Sequence, residues 1–320
     1  MEQIGFIDWD VAVATGRAFV PPGPELPAEQ IEAVVSELRS AAALAPDHVR
    51  EVSGLDVPAL ARTFVVDRAT WIKACAASMS VMIDAAGIAT GQFDAIAGRV
   101  RGGEVGAVLA AVSTRILGQF DPFATPARLL LVAPNVVAIE RELGVHPSDF
   151  RLWVCLHEMT HQFQFGQAPW LRDHMLGLVA ALLNDAEGFT WRAGGGSLLD
   201  HVLGPAQREA FDQVTAVMSL IEGYADVMMD RVGTAVIPTL PVIRRAFEQR
   251  RDRGGWTAVV GRLLGNDLKL AQYREGAAFC RTVIERAGLA ALNTAWTQPE
   301  ALPGLAEVRD PGLWLRRVPG

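Results

Sequence analysis

His157, Glu158 and His161 fall within one run, His157-Glu158-Met159-Thr160-His161, inside the stretch Leu152 to Phe165. On a helix, positions i and i+4 share a face, so both imidazoles can address one metal ion. Glu158 lands beside them, where its carboxylate can take a proton from an attacking water without itself ligating. The chemistry needs this spacing: two neutral nitrogen donors one turn apart, and an acid near the water but off the metal. Leu152, Val154, Leu156, Met159 and Phe163 make the segment apolar on most sides, so it reads as a buried helix. Two histidines and a glutamate there are costly unless they share a ligand. The plainer alternative is a pair of core histidines bonded to backbone carbonyls, with Glu158 between them by chance.

Two histidines do not complete a zinc site, which usually has three protein ligands and an open position. The best source of the third is Met218 to Asp226, where Glu222 and Asp226 are again spaced i, i+4 among Met218, Ile221, Ala225 and Met229. Buried acids on such a stripe need a cation or donors. Glu222 would ligate the metal, and Asp226 could accept the N–H of a ligating histidine. An ordinary pair of helical carboxylates at the rim of the core would show the same spacing.

HExxH followed by a helical Glu-x-x-x-Asp resembles the gluzincin arrangement of thermolysin-like metallopeptidases. There the glutamate is the third ligand and the aspartate supports a histidine. The chain as a whole resembles a bacterial family of zincin-like proteins described as zinc metalloproteases or hydrolases, some labelled as associated with biosynthesis of the deazaflavin coenzyme. The resemblance rests on Leu117 to Pro122, Leu129 to Asn135, the HEMTH helix, Pro169 to Arg172, Glu222 to Asp226, Gln272-Tyr273 and Asp310 to Arg317. It implies a mainly helical zincin-like fold with a small β-sheet, and Zn2+ held by His157, His161 and Glu222. It further implies Glu158 as general base and a peptide or other amide as substrate. A second function of a different class stays open: a zincin-fold protein whose zinc is structural, or which binds a partner without catalysis. An intact Glu158 argues against it, because a purely structural site has no need of that acid.

Composition narrows the field. The chain has 320 residues, half of them hydrophobic, enough to bury a large core. A net charge of −7 argues against nucleic acid as partner. The first residues carry acids and no basic run, unlike a secretory signal. No apolar run of about 18 residues is free of charge, so no membrane span is expected. Cys75, Cys155 and Cys280 are far apart and sit in apolar helical contexts. They read as reduced core thiols of a cytoplasmic protein. Cys155, two residues before His157, should face away from the metal.

The rest of the chain must position these groups. We expect a helical region over 1–125 and a zincin-like catalytic region over 126–320, packed as one unit. Helices are expected at 8–19, 28–44, 46–53 and 57–62, and from a cap at Asp67 to Ala86. Two more should lie at 91–101 and 104–117, broken apart at Gly102-Gly103. Arg128 to Pro134 is the one convincing strand. The resemblance implies that such a strand runs above the site helix and offers its edge to extended substrate. A buried strand in a small sheet is equally consistent. Asn135 and Ser148 read as caps of the next two helices, the second stopping at Gly166. Further helices should open at Pro169, Pro205 and Asp267. Trp296 and Trp314 should dock on the body.

Other candidates are weaker. Tyr273 is the better of the two tyrosines as an oxyanion donor, since Tyr224 faces away from the ligand row. Gly194-Gly195-Gly196 reads as a surface loop or a lid over the cleft. The arginine run from Arg244 to Arg253 reads as a solvated helix face, or as a grip on an acidic partner or substrate carboxylate. His48, His146, His174 and His201 have no metal-like partner, and none follows a glutamate by three residues, which removes a di-iron reading. No nucleophile elbow and no phosphate-binding glycine loop occurs.

Overall fold

The computed structural model describes residues 6–87, 95–183, 204–252 and 269–318. Helix α1, Trp9–Phe19, is capped by Asp8, whose carboxylate accepts from Val11 N. After the proline connector, α2 runs from Ala28 to Ser53 without a break. Its second half was expected as a separate helix after Pro46. The buried stripe of Val34, Leu38, Ala42, Ala45 and Val49 continues across the proline, and that packing outweighs the lost backbone bond. Residues 57–61, expected as helical, form no helix and lead into strand β1, Arg62–Val66.

Asp67 caps α3, Arg68–Ala85, by accepting from Thr70 N at 2.7 Å. Helix α4, Ala95–Ser113, passes straight through Gly102-Gly103, which was expected to break it. A Cβ on Gly102 would stand 2.3 Å from Asp8 O, and one on Gly106 2.3 Å from Ala12 O. These glycines let α4 lie directly on α1. They mark a close approach of two backbones rather than a chain break.

Strands β2, Gly118–Asp121, and β3, Arg128–Val132, complete a three-stranded sheet of order β1-β3-β2. β1 is parallel to β3 and β2 antiparallel. The expected strand β3 is therefore central, with both edges paired, so its edge is not available to a substrate. Its side chains alternate between two layers: Leu129 and Leu131 enter the main core, while Leu130 and Val132 pack with Trp71, Ile72 and Leu109 on the opposite face.

Helix α5, Ala133–Leu143, follows at once. Asn135 lies inside its first turn and does not cap it. Its side chain accepts from Arg68 Nε and donates to the carbonyls of Ser113 and Ile116. Gly144, at φ 62°, closes the helix in the left-handed region. Helix α6, Pro147–Gln167, carries HEMTH. Ser148 is within it rather than at its cap, and Gly166 lies inside it, where a Cβ would meet Val57 at 2.6 Å.

Among the described residues the remaining α-helices are α7, Leu171–Leu183; α8, Pro205–Val236; α9, Leu240–Asp252; α10, Lys269–Asn293; α11, Leu305–Arg309; and α12, Pro311–Arg317. Trp296 and Trp314 are fully buried, as expected, and Trp314 Nε1 donates to Ala301 O at 2.8 Å. The main core gathers around α2, α6, α8 and α10. The fold is mainly helical with a small mixed sheet. Among the described residues no helix is long and apolar enough to cross a membrane.

Candidate metal centre

Two buried helices bring the site together. α6 supplies His157, Glu158 and His161, and α8 supplies Glu222. The crossing is pinned one turn further along α6 by Gln164, whose Nε2 donates to Ile221 O at 2.9 Å. Ile221 directly precedes Glu222, so this bond fixes where the carboxylate emerges.

His157 Nε2 and His161 Nε2 stand 3.1 Å apart. Glu222 Oε2 lies 3.6 Å from the first nitrogen, and its Oε1 lies 3.7 Å from the second. Among the described residues these three form a group whose ligand atoms all lie within 4.8 Å of one another. Donors held about 2.0–2.1 Å from one ion at tetrahedral angles stand roughly 3.3–3.4 Å apart. The separations of 3.1 to 3.7 Å are near that size, the two from Glu222 being to different oxygens, and two imidazoles with one carboxylate suit a transition metal. The residues present therefore fit the group. The three side chains keep partial exposure, 22% for His157, 12% for His161 and 31% for Glu222.

Glu158 is 8% exposed and sits under β2, accepting the backbone N–H of Phe120. Burial pushes its carboxyl up to about 7, with the Glu222 charge adding to the rise; His161 and the Phe120 N–H pull the other way. Burial also raises Glu222, but the charges of His161 and His157, and the hydrogen bond with His157, outweigh it and hold that carboxyl at about 2. The two acids thus diverge: Glu222 stays anionic, and Glu158 is poised near neutrality to take and release a proton.

β2, not β3, is the strand over the site. Val132 N donates to Leu117 O, and Gln119 and Asp121 pair with Leu130 and Arg128. By the alternation of an antiparallel ladder, the backbone groups of Gly118 and Phe120 then face outward. A Cβ on Gly118 would stand 2.5 Å from Glu158 Cγ. Sequence reasoning missed this strand, since four residues are too few to show a period of two.

Aromatic rings flank the other side. The Trp153 ring stacks on His157 with centroids 5.8 Å apart, and Phe247 of α9 stacks on Trp153 at 4.7 Å. His157 Nδ1 is buried and has no hydrogen-bond partner.

Asp226 is placed differently from expectation. It does not support a histidine. Arg244 Nη1 donates to its carboxylate, and Arg281 Nη2 donates to it at 2.9 Å. Asp230 joins the same arginines. Five positive groups fall within Val242 to Arg253, and a guanidinium outbids a neutral imidazole for a carboxylate. Arg244 is correspondingly not on a solvated face, whereas Arg245 is exposed. The group that does bond a histidine is Gln164, whose Oε1 lies 2.9 Å from His161 Nδ1. Its spacing of three residues from His161 was a signal available in the sequence.

The remaining candidates sort themselves. Tyr224 is fully buried and donates to Asn293 Oδ1 at 2.8 Å, away from the ligands. Cys155 Sγ approaches Leu38 O at 3.7 Å on the α2 side, and all three cysteines are free. His146 pairs with Asp149, and His174 packs edge-on to Trp170. Gly194-Gly195-Gly196, His201, Arg253 and Asp267 lie outside the described residues, as does the side chain of Tyr273.

A helix bearing HExxH beneath a sheet edge, with a third candidate ligand, a carboxylate, from a following helix, is the arrangement of a zincin. Residues 7–315 match the zincin-like metallopeptidase family, and the chain belongs to it. The structure is also similar to a crystal structure from Chloroflexus aurantiacus described as "a putative hydrolase with a novel fold". The two share 30% identity and a TM-score of 0.75, over 97% of this chain and 98% of that one. No curated protein matches the chain.

Proposed function

We propose that the protein is a zinc-dependent hydrolase of peptides or other amides. The observation that carries this reading is the cluster of His157 Nε2, His161 Nε2 and the Glu222 carboxylate, with the Glu158 carboxylate beside it. Imidazole donors favour zinc over magnesium. When bound, zinc supplies a Lewis acid for the scissile carbonyl and lowers the pKa of water.

The chain's own groups do the rest. The Glu158 carboxylate takes a proton from the attacking water and passes it to the leaving amine nitrogen. Its displaced pKa suits both transfers. An extended substrate backbone pairs with the outward groups of β2 at Gly118, next to Glu158. Phe120 N–H is already given to Glu158, so it orients the base rather than the substrate. Glu222 stays ionised and compensates cationic charge at the site.

The test is Glu158→Gln. We expect zinc content equal to the parent's and turnover of a library-selected peptide lowered on the order of 10²–10⁴-fold. Full activity in this variant would sink the mechanism.

A further inference from the structure

We infer that Gln164 is a positioning residue that presets the tautomer of His161 for metal binding; the inference rests on the metal-site reading above. Gln164 is fully buried and makes two hydrogen bonds. The Ile221 carbonyl can only accept, so the amide nitrogen of Gln164 must face it. The amide oxygen then faces His161 Nδ1 at 2.9 Å. That oxygen also only accepts, so Nδ1 must carry the proton. In a neutral imidazole the other nitrogen, Nε2, is left with its lone pair. His161 Nε2 is the atom turned toward His157 and Glu222. One carbonyl on α8 thus dictates, through one amide on α6, which nitrogen of His161 is free to ligate.

The same amide ties the ligand pair on α6 to the ligand on α8, because Ile221 precedes Glu222. The two ligand histidines are held unequally. His161 has an acceptor at Nδ1, and His157 Nδ1 has none. With Asp226 engaged by Arg244 and Arg281, Gln164 is the described side chain that orients a ligand histidine.

The two bonds of Gln164 can be separated by substitution. Gln164→Glu keeps an acceptor toward His161 and gives up the amide donor toward Ile221. Gln164→Met keeps the length and loses both. The probe is Zn2+ alone, competed against a chromophoric chelator, with Tm of the metal-free protein measured in parallel. We expect Gln164→Met to weaken zinc binding about 10–100-fold. Gln164→Glu should bind within a few-fold of the parent while its metal-free Tm falls. Equal zinc affinity in parent and Gln164→Met would overturn the inference and leave Gln164 a helix-packing residue. A second readout needs no metal and no variant. Histidine ¹⁵N shifts of the metal-free parent should show His161 protonated at Nδ1; protonation at Nε2 would overturn the inference. Should the parent bind no zinc, the metal-site reading fails, and the nitrogen shifts still decide whether Gln164 sets the tautomer.

Discussion

Gly118 of β2 and Glu158 of α6 meet with no room for a side chain between them: a Cβ on residue 118 would stand 2.5 Å from Glu158 Cγ and 3.0 Å from its Oε1. The edge strand therefore fixes where the Glu158 carboxylate, the proposed base, points. Gly118→Ala should push the carboxylate aside while leaving the ligands in place. Misplacing a catalytic group by about 1 Å can cost on the order of 10² in rate. We expect kcat to fall about 10–100-fold, with zinc stoichiometry unchanged by metal analysis. An alanine variant of unaltered kcat would show that the base does not act from this position.

The raised pKa of Glu158 also has a thermodynamic consequence. A carboxyl near 4.5 in the unfolded chain and about 7 in the folded one binds its proton more tightly when folded. Its contribution is most favourable below about 4.5 and is lost as pH rises through about 7. Glu158→Gln removes this term. The metal-free variant should be more stable than the metal-free parent by on the order of 2–3 kcal/mol at pH 8. Near pH 4.5 the two should converge. Parallel denaturation of both proteins across this range reads the effect, and a pH-independent gap would contradict it.

Asp226 supplies a contrast with Gln164. Its carboxylate sits one turn beyond Glu222, yet it is bound to Arg244 and Arg281. Asp226→Asn should thus loosen the docking of α9 and α10 on α8 without touching the ligands. The groups are partly exposed, so the loss should be modest, about 1 kcal/mol in urea denaturation. Zinc affinity by chelator competition should stay within about twofold of the parent's. A tenfold loss of affinity would return Asp226 to the histidine-supporting role that the Glu-x-x-x-Asp spacing suggests.

The cluster of His157, His161 and Glu222 was legible because helical spacing alone aligns the two histidines, and an apolar stripe makes Glu222 conspicuous. The partners of these groups were less legible. Which carboxylate bonds which cation depends on how α8, α9 and α10 cross, and nothing in the local spacing of Asp226 encodes that. Strands β1 and β2 were missed for a related reason. Arg62–Val66 and Gly118–Asp121 are too short for a two-residue period to stand out, and they are strands because β3 pairs with both. Pro46 and Gly102-Gly103 misled in the opposite sense. Local propensity makes them breakers, but tertiary contact overrides propensity where a helix is packed along its length. At Gly102 and Gly106 of α4, glycine marks where another backbone passes.

That rule has its sharpest case beside the metal site. A Cβ on Gly223, the residue after Glu222, would stand 2.2 Å from Gly276 C, and one on Gly276 would stand 2.0 Å from Ser219 O. Helices α8 and α10 touch backbone to backbone there. Helix propensity alone says that Gly223→Ala should stabilise by up to about 1 kcal/mol. Close approach says the reverse: overpacking costs about 1–3 kcal/mol, and the shift of α8 carries Glu222 with it. We expect destabilisation together with at least tenfold weaker zinc binding. Gly177 on α7 is the control, because nothing lies within 4 Å of its would-be Cβ. Gly177→Ala should stabilise by roughly 0.5–1 kcal/mol and leave zinc binding alone. Urea denaturation of the two variants reads opposite signs if backbone contact governs α8, and the same sign if propensity does.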